Sequence, residues 1–498
     1  MKVLLVHPPC GPRTIGLRHL AKMEPLGLET VGAAISPLYD VRLVDMMVRP
    51  GDLLQTLKYF KPDVLGVTSE MARTQPALEV VRSVRRLAPE CLTVLGGHQP
   101  TIMPEVFDDP AVDLIVQGEG VDPFTAICAA RAEGRSRFEH IPGLMIRSSH
   151  GLEPTEPRPL PPDIHRQPLP DRSLTARYRR EYFYITEPSA AGVRMAYGCP
   201  FRCRFCPGWV YSGGYWVPRE PQRIFDDIRS IQEPFIYFYD ENSFHDVDRM
   251  TRLAHLLIDS GVPKRYHAYA RADSVLKHPD LFELWARAGL SMAFLGVESL
   301  DAKTLSDWNK KTTPSTNAQA IDLLGSMGIE VSVGFMLKPE VGRSDFDQIN
   351  QFIDDHPAIL HVEFTPVTPC PGTPLYEEKK DQILTHDWQV YDMQHFVVKT
   401  AIPQEQIYRM IVQSYSKIVF RIARRKGWKL LNQWGGWKYR MLRGVLANRT
   451  ALGRAHLDVR ACIQAERRNP PPKLPVSIPA AQFRLKLPQR GPASSKVA

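Results

Sequence analysis

The sequence predicts an α/β protein: a Rossmann-like parallel-sheet domain, then a partial (β/α)6 barrel, then a basic helical C-terminal region. Three observations predict it. Short apolar runs alternate with helical patterns in two separate series, seven prolines in twenty residues (153–172) divide the series, and the charge balance reverses near residue 400.

The first series runs through residue 130 as KVLLVHPP, VRLVDMM, DVLGVTSE, LTVLGGH and DLIVQGEG. Five such runs with helices between them predict a doubly wound sheet over 1–150. Ala77, Val80, Val81, Val84 and Leu87 recur at helical spacing between the third and fourth runs and predict one apolar helix face. The proline block can hold neither helix nor central strand, so 151–190 is expected to be a semi-rigid linker. The second series is GVRMAYG, FIYFYDE, RYHAYARA, SMAFLGVES, EVSVGFMLK and LHVEFTPV. It predicts six βα units over 191–385, with the chemistry at the carboxyl ends of the strands. Residues 386–468 read as basic helix, and the proline-rich 469–498 reads as a disordered tail.

The net charge of +9 is unevenly placed: residues 401–498 hold 20 Lys+Arg against 3 Asp+Glu, and residues 1–400 hold 43 against 51. The basic end therefore predicts an anionic partner. Segment 408–443 sets Tyr408, Tyr415, Phe420, Trp428, Trp434, Trp437 and Tyr439 among arginines and lysines. That mixture suits lipid headgroups or nucleic acid; the plainer alternative is aromatics packed on the barrel with cations reaching solvent. No run of 18 apolar residues predicts a span, and MKVLLVHPP is too short for a secretory signal. Eight cysteines in 498 residues, three of them within eight residues, point to metal in a reducing compartment rather than to a disulfide scaffold. A cytoplasmic protein is expected, its basic end placed to touch the inner face of the membrane.

The strongest motif is Gly198-Cys199-Pro-Phe-Arg-Cys203-Arg-Phe-Cys206. Three cysteines on one tight loop suit three irons of a [4Fe–4S] cluster and leave the fourth iron without a protein ligand. A structural zinc site would need a fourth ligand from elsewhere.

The CxxxCxxC spacing, with Phe205 before the third cysteine, resembles the signature of the radical S-adenosylmethionine (SAM) superfamily. The resemblance implies that SAM chelates the open iron and is cleaved to a 5′-deoxyadenosyl radical. It implies SAM contacts at Phe205, at Glu241 and Asn242 in YFYDEN, at Arg271 in YARAD, and at Glu298 in GVES.

In the first series, HPP with His7, TSEM with Thr68, Ser69 and Glu70, GGHxxT with Gly96, Gly97, His98 and Thr101, and QGEG with Gly118, Glu119 and Gly120 resemble the cobalamin-binding half of B12-dependent radical SAM enzymes, as does EPLGLE at 24–29. DxHxxG, which supplies an imidazole to cobalt in many B12 proteins, is missing: Asp163-Ile-His165 and Asp354-Asp-His356 lack the glycine. Cobalt is therefore expected without a histidine lower ligand. TPCPGTPLY at 368–376 is similar to a barrel-closing segment of that family, and Cys370 within it is either a small buried side chain or a group lining the substrate pocket. Within the family, the resemblance is strongest to the hopanoid C-3 methylases and then to bacteriochlorophyll side-chain methylases. It implies methyl transfer to an unactivated carbon of a hydrophobic, hopanoid-like or tetrapyrrole molecule, with methylcobalamin as donor and flavodoxin or ferredoxin supplying electrons; because such substrates partition into lipid, it also implies a peripheral membrane contact, rather than nucleic acid, for the basic end. An oxidative tetrapyrrole cyclase and a non-catalytic cobalamin sensor are the alternatives. A methylthiotransferase would need Cys10, Cys91 and Cys128 to converge on a second cluster, and their places in the strand pattern oppose that.

Overall fold

The computed structural model describes residues 1–16, 20–433 and 437–468. Its first sheet comprises β1 (Lys2–His7), β2 (Asp40–Asp45), β3 (Val64–Thr68), β4 (Leu92–Gly96), β5 (Leu114–Val116), β6 (Leu144–Ser148) and β7 (Gly151–Pro154), in the order β2-β1-β3-β4-β5-β6-β7. β1 shows why it lies centrally. Leu4 and Val6 enter one apolar core and Val3 and Leu5 the other, so the strand is buried on both faces. The chain leaves β1 for β2 and then returns across β1 to β3, which opens a crevice at the carboxyl ends of β1 and β3.

Ala77, Val80, Val81 and Val84 of helix Thr74–Leu87 are buried as expected, but Leu87, at its last turn, is 62% exposed. β6 and β7 form an antiparallel hairpin that extends the sheet past residue 150 into the expected linker. The rest of that linker is not a free spacer. The 3-10 helix Arg172–Glu181 lies against the first domain, where the Tyr178 hydroxyl donates to Asp52 (2.8 Å) and the Thr175 hydroxyl to Glu29.

The second sheet is wholly parallel, β8 (Ala190–Val193), β9 (Phe235–Phe238), β10 (Arg265–Ala270), β11 (Leu290–Glu298), β12 (Glu330–Leu337) and β13 (Ile359–Pro366), in chain order. GVRMAYG is not one strand. β8 stops at Val193, because the buried Asp240 carboxylate takes the Met195 and Ala196 N–H groups (3.1 and 2.5 Å); Ala196–Gly198 then pairs antiparallel with Trp216–Pro218. This small ladder frames the cysteine loop.

Helices Gln404–Gln433 and Trp437–Arg468 complete the described chain. The first covers the open edge at β13: the Phe364 N–H donates to the Tyr415 hydroxyl (3.1 Å) and the Arg421 guanidinium to the Ile359 carbonyl (2.6 Å). The second returns to segment 385–395, where Glu466 accepts from Thr385 (2.7 Å) and the buried His395 lies between Asp392 and Asp458. Tyr408 and Tyr415 thus point inward, contrary to a membrane-facing stripe, and Phe420 is exposed. The side chains of Trp428, Trp434, Trp437 and Tyr439, and the tail 469–498, lie outside the described residues.

Candidate functional site

A cavity of about 800 Å³ separates the carboxyl edge of the first sheet from the mouth of the barrel. Thr68, Gly96 and Gly118 line one wall; Gly198, Tyr211 and Glu241 line the other.

The first wall is a glycine cradle with its polar groups tied internally. At Gly97 (φ +100°) a Cβ would meet the Ser69 carbonyl and Thr68 Oγ1 at 2.7 Å, so only glycine fits. The Thr101 hydroxyl donates to the Gly97 carbonyl (2.7 Å) and accepts from the Gly118 N–H (2.9 Å), which joins the two glycine loops. Nothing within 4 Å would oppose a Cβ at Gly118, which leaves that loop open to the cavity. Ser69 is buried, its N–H on the Gly96 carbonyl (2.8 Å). Glu119 turns back to take the Val121 N–H (3.0 Å) at the start of helix Val121–Ala132, beside Gly120.

His7 Nδ1 faces Asp45 (3.0 Å), the Arg73 guanidinium closes on Nε2, and the Tyr182 hydroxyl donates to the second Asp45 oxygen (2.8 Å). Burial alone would raise the Asp45 carboxyl, but His7 and Tyr182 outweigh it and hold it below the usual carboxylate range. Both His7 nitrogens are therefore occupied by protein. Arg73 likewise holds Glu70 below its usual value, and the Glu70 side chain opens into the cavity. His98 lies flat on Tyr211 of the opposite wall, ring centroids 4.3 Å apart and planes 6° apart. The walls desolvate the imidazole and keep its pKa below the usual value.

Gly198 and Pro207 of the second wall bracket the three cysteines. Gly198 has φ +77°, and a Cβ there would strike the Tyr215 carbonyl. The loop is held by its main chain: the Cys203 carbonyl accepts from the Cys206 N–H (3.1 Å) and from Trp209 Nε1 (3.0 Å), and the Arg204 N–H donates to the Trp308 carbonyl (3.0 Å). All three thiols are free, with Cys199 and Cys203 buried. Burial raises each of them, Cys206 to about 12, so they stay protonated until a cation takes the proton's place. Glu241 and Cys206 flank Gly208 together, where a Cβ would lie 3.2 and 3.5 Å from them. Asn242 is 4% exposed with both amide atoms unpartnered. Arg271 sits 3.9 Å from the Phe201 ring centroid and forks onto Asp273. Glu298, in the left-handed region at φ +61°, pairs with Lys310 (2.7 Å). Phe205 stands edge-on to Trp308, 5.5 Å between centroids.

Two family models match this chain, the B12 binding domain over residues 12–128 and the radical SAM superfamily over residues 193–353. The chain thus joins a B12 binding domain to a radical SAM domain. The hopanoid C-3 methylase of Methylococcus capsulatus is 29% identical over 98% of this chain and 93% of that protein. The anaerobic magnesium-protoporphyrin IX monomethyl ester cyclase of Cereibacter sphaeroides is 26% identical over 77% of this chain and 64% of its own length. The bacteriochlorophyllide d C-8(2)-methyltransferase of Chlorobaculum tepidum is 22% identical over 72% of this chain and 77% of that protein. Among solved structures, the cobalamin-dependent radical enzyme OxsB with aqua-cobalamin and SAM bound shares the fold: TM-score 0.66 at 14% identity, covering 93% of this chain and 80% of that one.

In this chain the residues present suit an iron–sulfur cluster, SAM and cobalamin. The cradle is cleared by glycines, the three thiols are unpaired, and the Asn242 amide awaits partners. Among the described residues no three Cys, His, Asp or Glu side chains meet as a single-ion site. Cys370 takes the first of its two expected places, a small buried side chain: it is 1% exposed and packs with Met71, Ile102, Trp388 and Tyr391. Sequence reasoning missed Arg73, Asp45, Tyr211 and Lys310. Arg73 alone carried a signal, as a cation five residues beyond a strand end that faces the crevice.

Proposed function

We propose that this enzyme methylates an unactivated carbon of a largely apolar small molecule, of the hopanoid or tetrapyrrole kind. One observation carries the reading: the glycine cradle and the two residues that flank the cysteines, Gly198 and Pro207, line one cavity, so a substrate there lies between cradle and cysteine loop. When bound, the cluster and SAM supply hydrogen abstraction from carbon, and cobalamin supplies the methyl group.

The chain's own residues bind, orient and exclude water. Cys199, Cys203 and Cys206 would hold the cluster. Glu241 and Asn242 fit the ammonium of SAM, and Arg271 and Glu298, at successive strand ends, fit its carboxylate and ribose. Gly96, Gly97, Gly118 and Gly120 admit the flat corrin face, while Thr101 keeps their loops in register. Because both His7 nitrogens are taken, His7 supports the crevice instead of ligating cobalt. Tyr197, Tyr211, Tyr239 and Met393 wall the cavity and keep water from the reacting carbon.

The cyclase relatives favour one second reading, oxidative cyclisation without methyl transfer. Anaerobic reconstitution, followed by mass spectrometry of lipid and pigment extracts incubated with the enzyme, separates the two. Methylated product with S-adenosylhomocysteine supports methyl transfer; an oxidised product without either defeats it. A flavodoxin or ferredoxin is the proposed electron donor. No helix among the described residues is long and apolar enough to cross a membrane. A peripheral contact rests on Leu446 and Leu457, exposed near Arg449 and Arg454, and vesicle flotation tests it.

A further inference from the structure

The cavity does not stop at the strand ends. Glu241, Tyr239 and Tyr237, alternate residues along and just beyond β9, all line it, so it follows that strand about 13 Å into the barrel. We infer that this inner arm takes the hydroxyl end of an otherwise apolar substrate, and that the paired Tyr237 and Tyr269 hydroxyls are the groups that select it. The inference rests on the reading of an apolar substrate and names the polar group that substrate carries.

Strand alternation turns the relevant groups inward. Ile236 and Phe238 of β9, Ala268 and Ala270 of β10, and Val362 and Phe364 of β13 enter the apolar layer between the sheet and its helices. Tyr237, His267, Tyr269 and Glu363 alternate with them and face the lumen. The rings form a box. His267, in register with Tyr237, lies flat on it, ring centroids 5.0 Å apart and planes 6° apart. Tyr184 leans on Tyr237 at 4.7 Å and on His267 at 5.2 Å, and Tyr269 packs on Phe294 at 4.7 Å. Tyr184 also lines the cavity, and its two-residue ladder with Ala21 and Lys22 closes the box from the side of the first domain.

Hydrogen-bonding capacity is left over in this box. The Tyr237 and Tyr269 oxygens lie 2.8 Å apart, which uses one of their two protons and leaves the other without an acceptor among the described residues. The Glu363 carboxyl receives no hydrogen bond and no ion pair from the described residues. His267 is wholly buried with neither ring nitrogen bonded. Burial, reinforced by His361, pushes the His267 imidazole down to about 3, and burial, reinforced by Glu298, pushes the Glu363 carboxyl up to about 7, so the box carries little fixed charge. A hydroxyl is the smallest group that answers this set, since it accepts the spare tyrosine proton and donates to the carboxyl. An ammonium has no lone pair for the tyrosine, a carboxylate would stand against Glu363, and a hydrocarbon would leave the polar groups buried and unpaired.

The test is equilibrium binding, to the reconstituted full-length holoenzyme, of three probes on one fused-ring terpenoid skeleton: the hydrocarbon, its alcohol and its amine, each delivered from cyclodextrin. Wild type should hold the alcohol about tenfold more tightly than either of the others, the worth of one buried hydrogen bond. Either tyrosine alone retains a hydroxyl proton, so the decisive variant combines Tyr237→Phe with Tyr269→Phe and keeps both rings. In it the advantage of the alcohol should vanish while iron and cobalamin contents stay at wild-type values. If that variant loads poorly, the methyl ether of the alcohol asks the same question of wild type: it cannot donate to Glu363 and should lose most of the advantage. An alcohol that binds no better than the hydrocarbon, an amine that binds best, an ether that matches the alcohol, or an advantage that survives the double variant overturns the inference and leaves the methyl-transfer reading in place. A fully loaded holoenzyme that binds none of the probes overturns the apolar-substrate reading itself, and the inference with it.

Discussion

The two walls of the cavity are built on opposite principles. On the first-sheet wall the polar side chains satisfy one another: Asp45, His7 and Arg73 form a chain along the crevice, and Thr101 bridges Gly97 and Gly118. Apart from Glu70, whose carboxylate opens into the cavity, this cradle offers a ligand mainly its shape. On the barrel side stand groups that can ligate: three thiols outside any disulfide and an Asn242 amide without partners. A large, flat cofactor is held by a fitted surface, whereas a cluster and a small zwitterion are held by specific ligands. Mutations should therefore fail differently on the two sides.

The largest effect is expected at the cysteines. Changing Cys199, Cys203 or Cys206 to alanine should remove the iron–sulfur absorbance and all deoxyadenosine formation, while cobalamin still copurifies after loading. Loss of both cofactors from one cysteine variant would break the separation of the walls.

On the cradle, Gly97→Val must place a branched side chain at φ +100° against the Ser69 carbonyl. Strain of this kind costs about 2 kcal/mol. Cobalamin affinity should fall by more than about tenfold with the cluster spectrum intact, measured by equilibrium binding of the reconstituted protein.

A smaller and two-signed effect is expected at Asn242. Replacing it with alanine removes a buried amide that has no partner, so the cofactor-free protein should gain about 1 kcal/mol, seen as a raised melting temperature. SAM affinity should fall by about tenfold, the value of one hydrogen bond to a charged group. Melting temperature and affinity that fall together would mean the amide is structural.

Much of this was readable from strand ends. The glycines after β4 and β5, the cysteine loop, and Glu241, Arg271 and Glu298 all lie at carboxyl edges, and a parallel sheet brings such edges together whatever the loops do. What escaped the sequence depends on contacts made across long separations. β8 ends early because Asp240, 45 residues from Met195, captures its N–H. Tyr211 reaches His98 from a different domain, and Lys310 reaches Glu298 through a turn of two left-handed residues in the run Asn309-Lys310-Lys311, with no periodic signature. Cys370 left two places open in the sequence, and only its packing in the apolar cluster with Met71 and Trp388 decides between them. In the C-terminal helices the aromatic count was plain, but orientation was not: Tyr408 and Tyr415 spend their hydroxyls on Phe396 and Phe364.

The central claim is that both cofactors share one cavity. Electron paramagnetic resonance of the reconstituted protein with Co(II) cobalamin and a reduced cluster tests it most directly. The account predicts dipolar broadening beyond the sum of the two singly loaded spectra, because one cavity of about 800 Å³ is lined by the cradle and by Gly198 and Pro207, which flank the cysteines. A doubly loaded spectrum equal to that sum would contradict it.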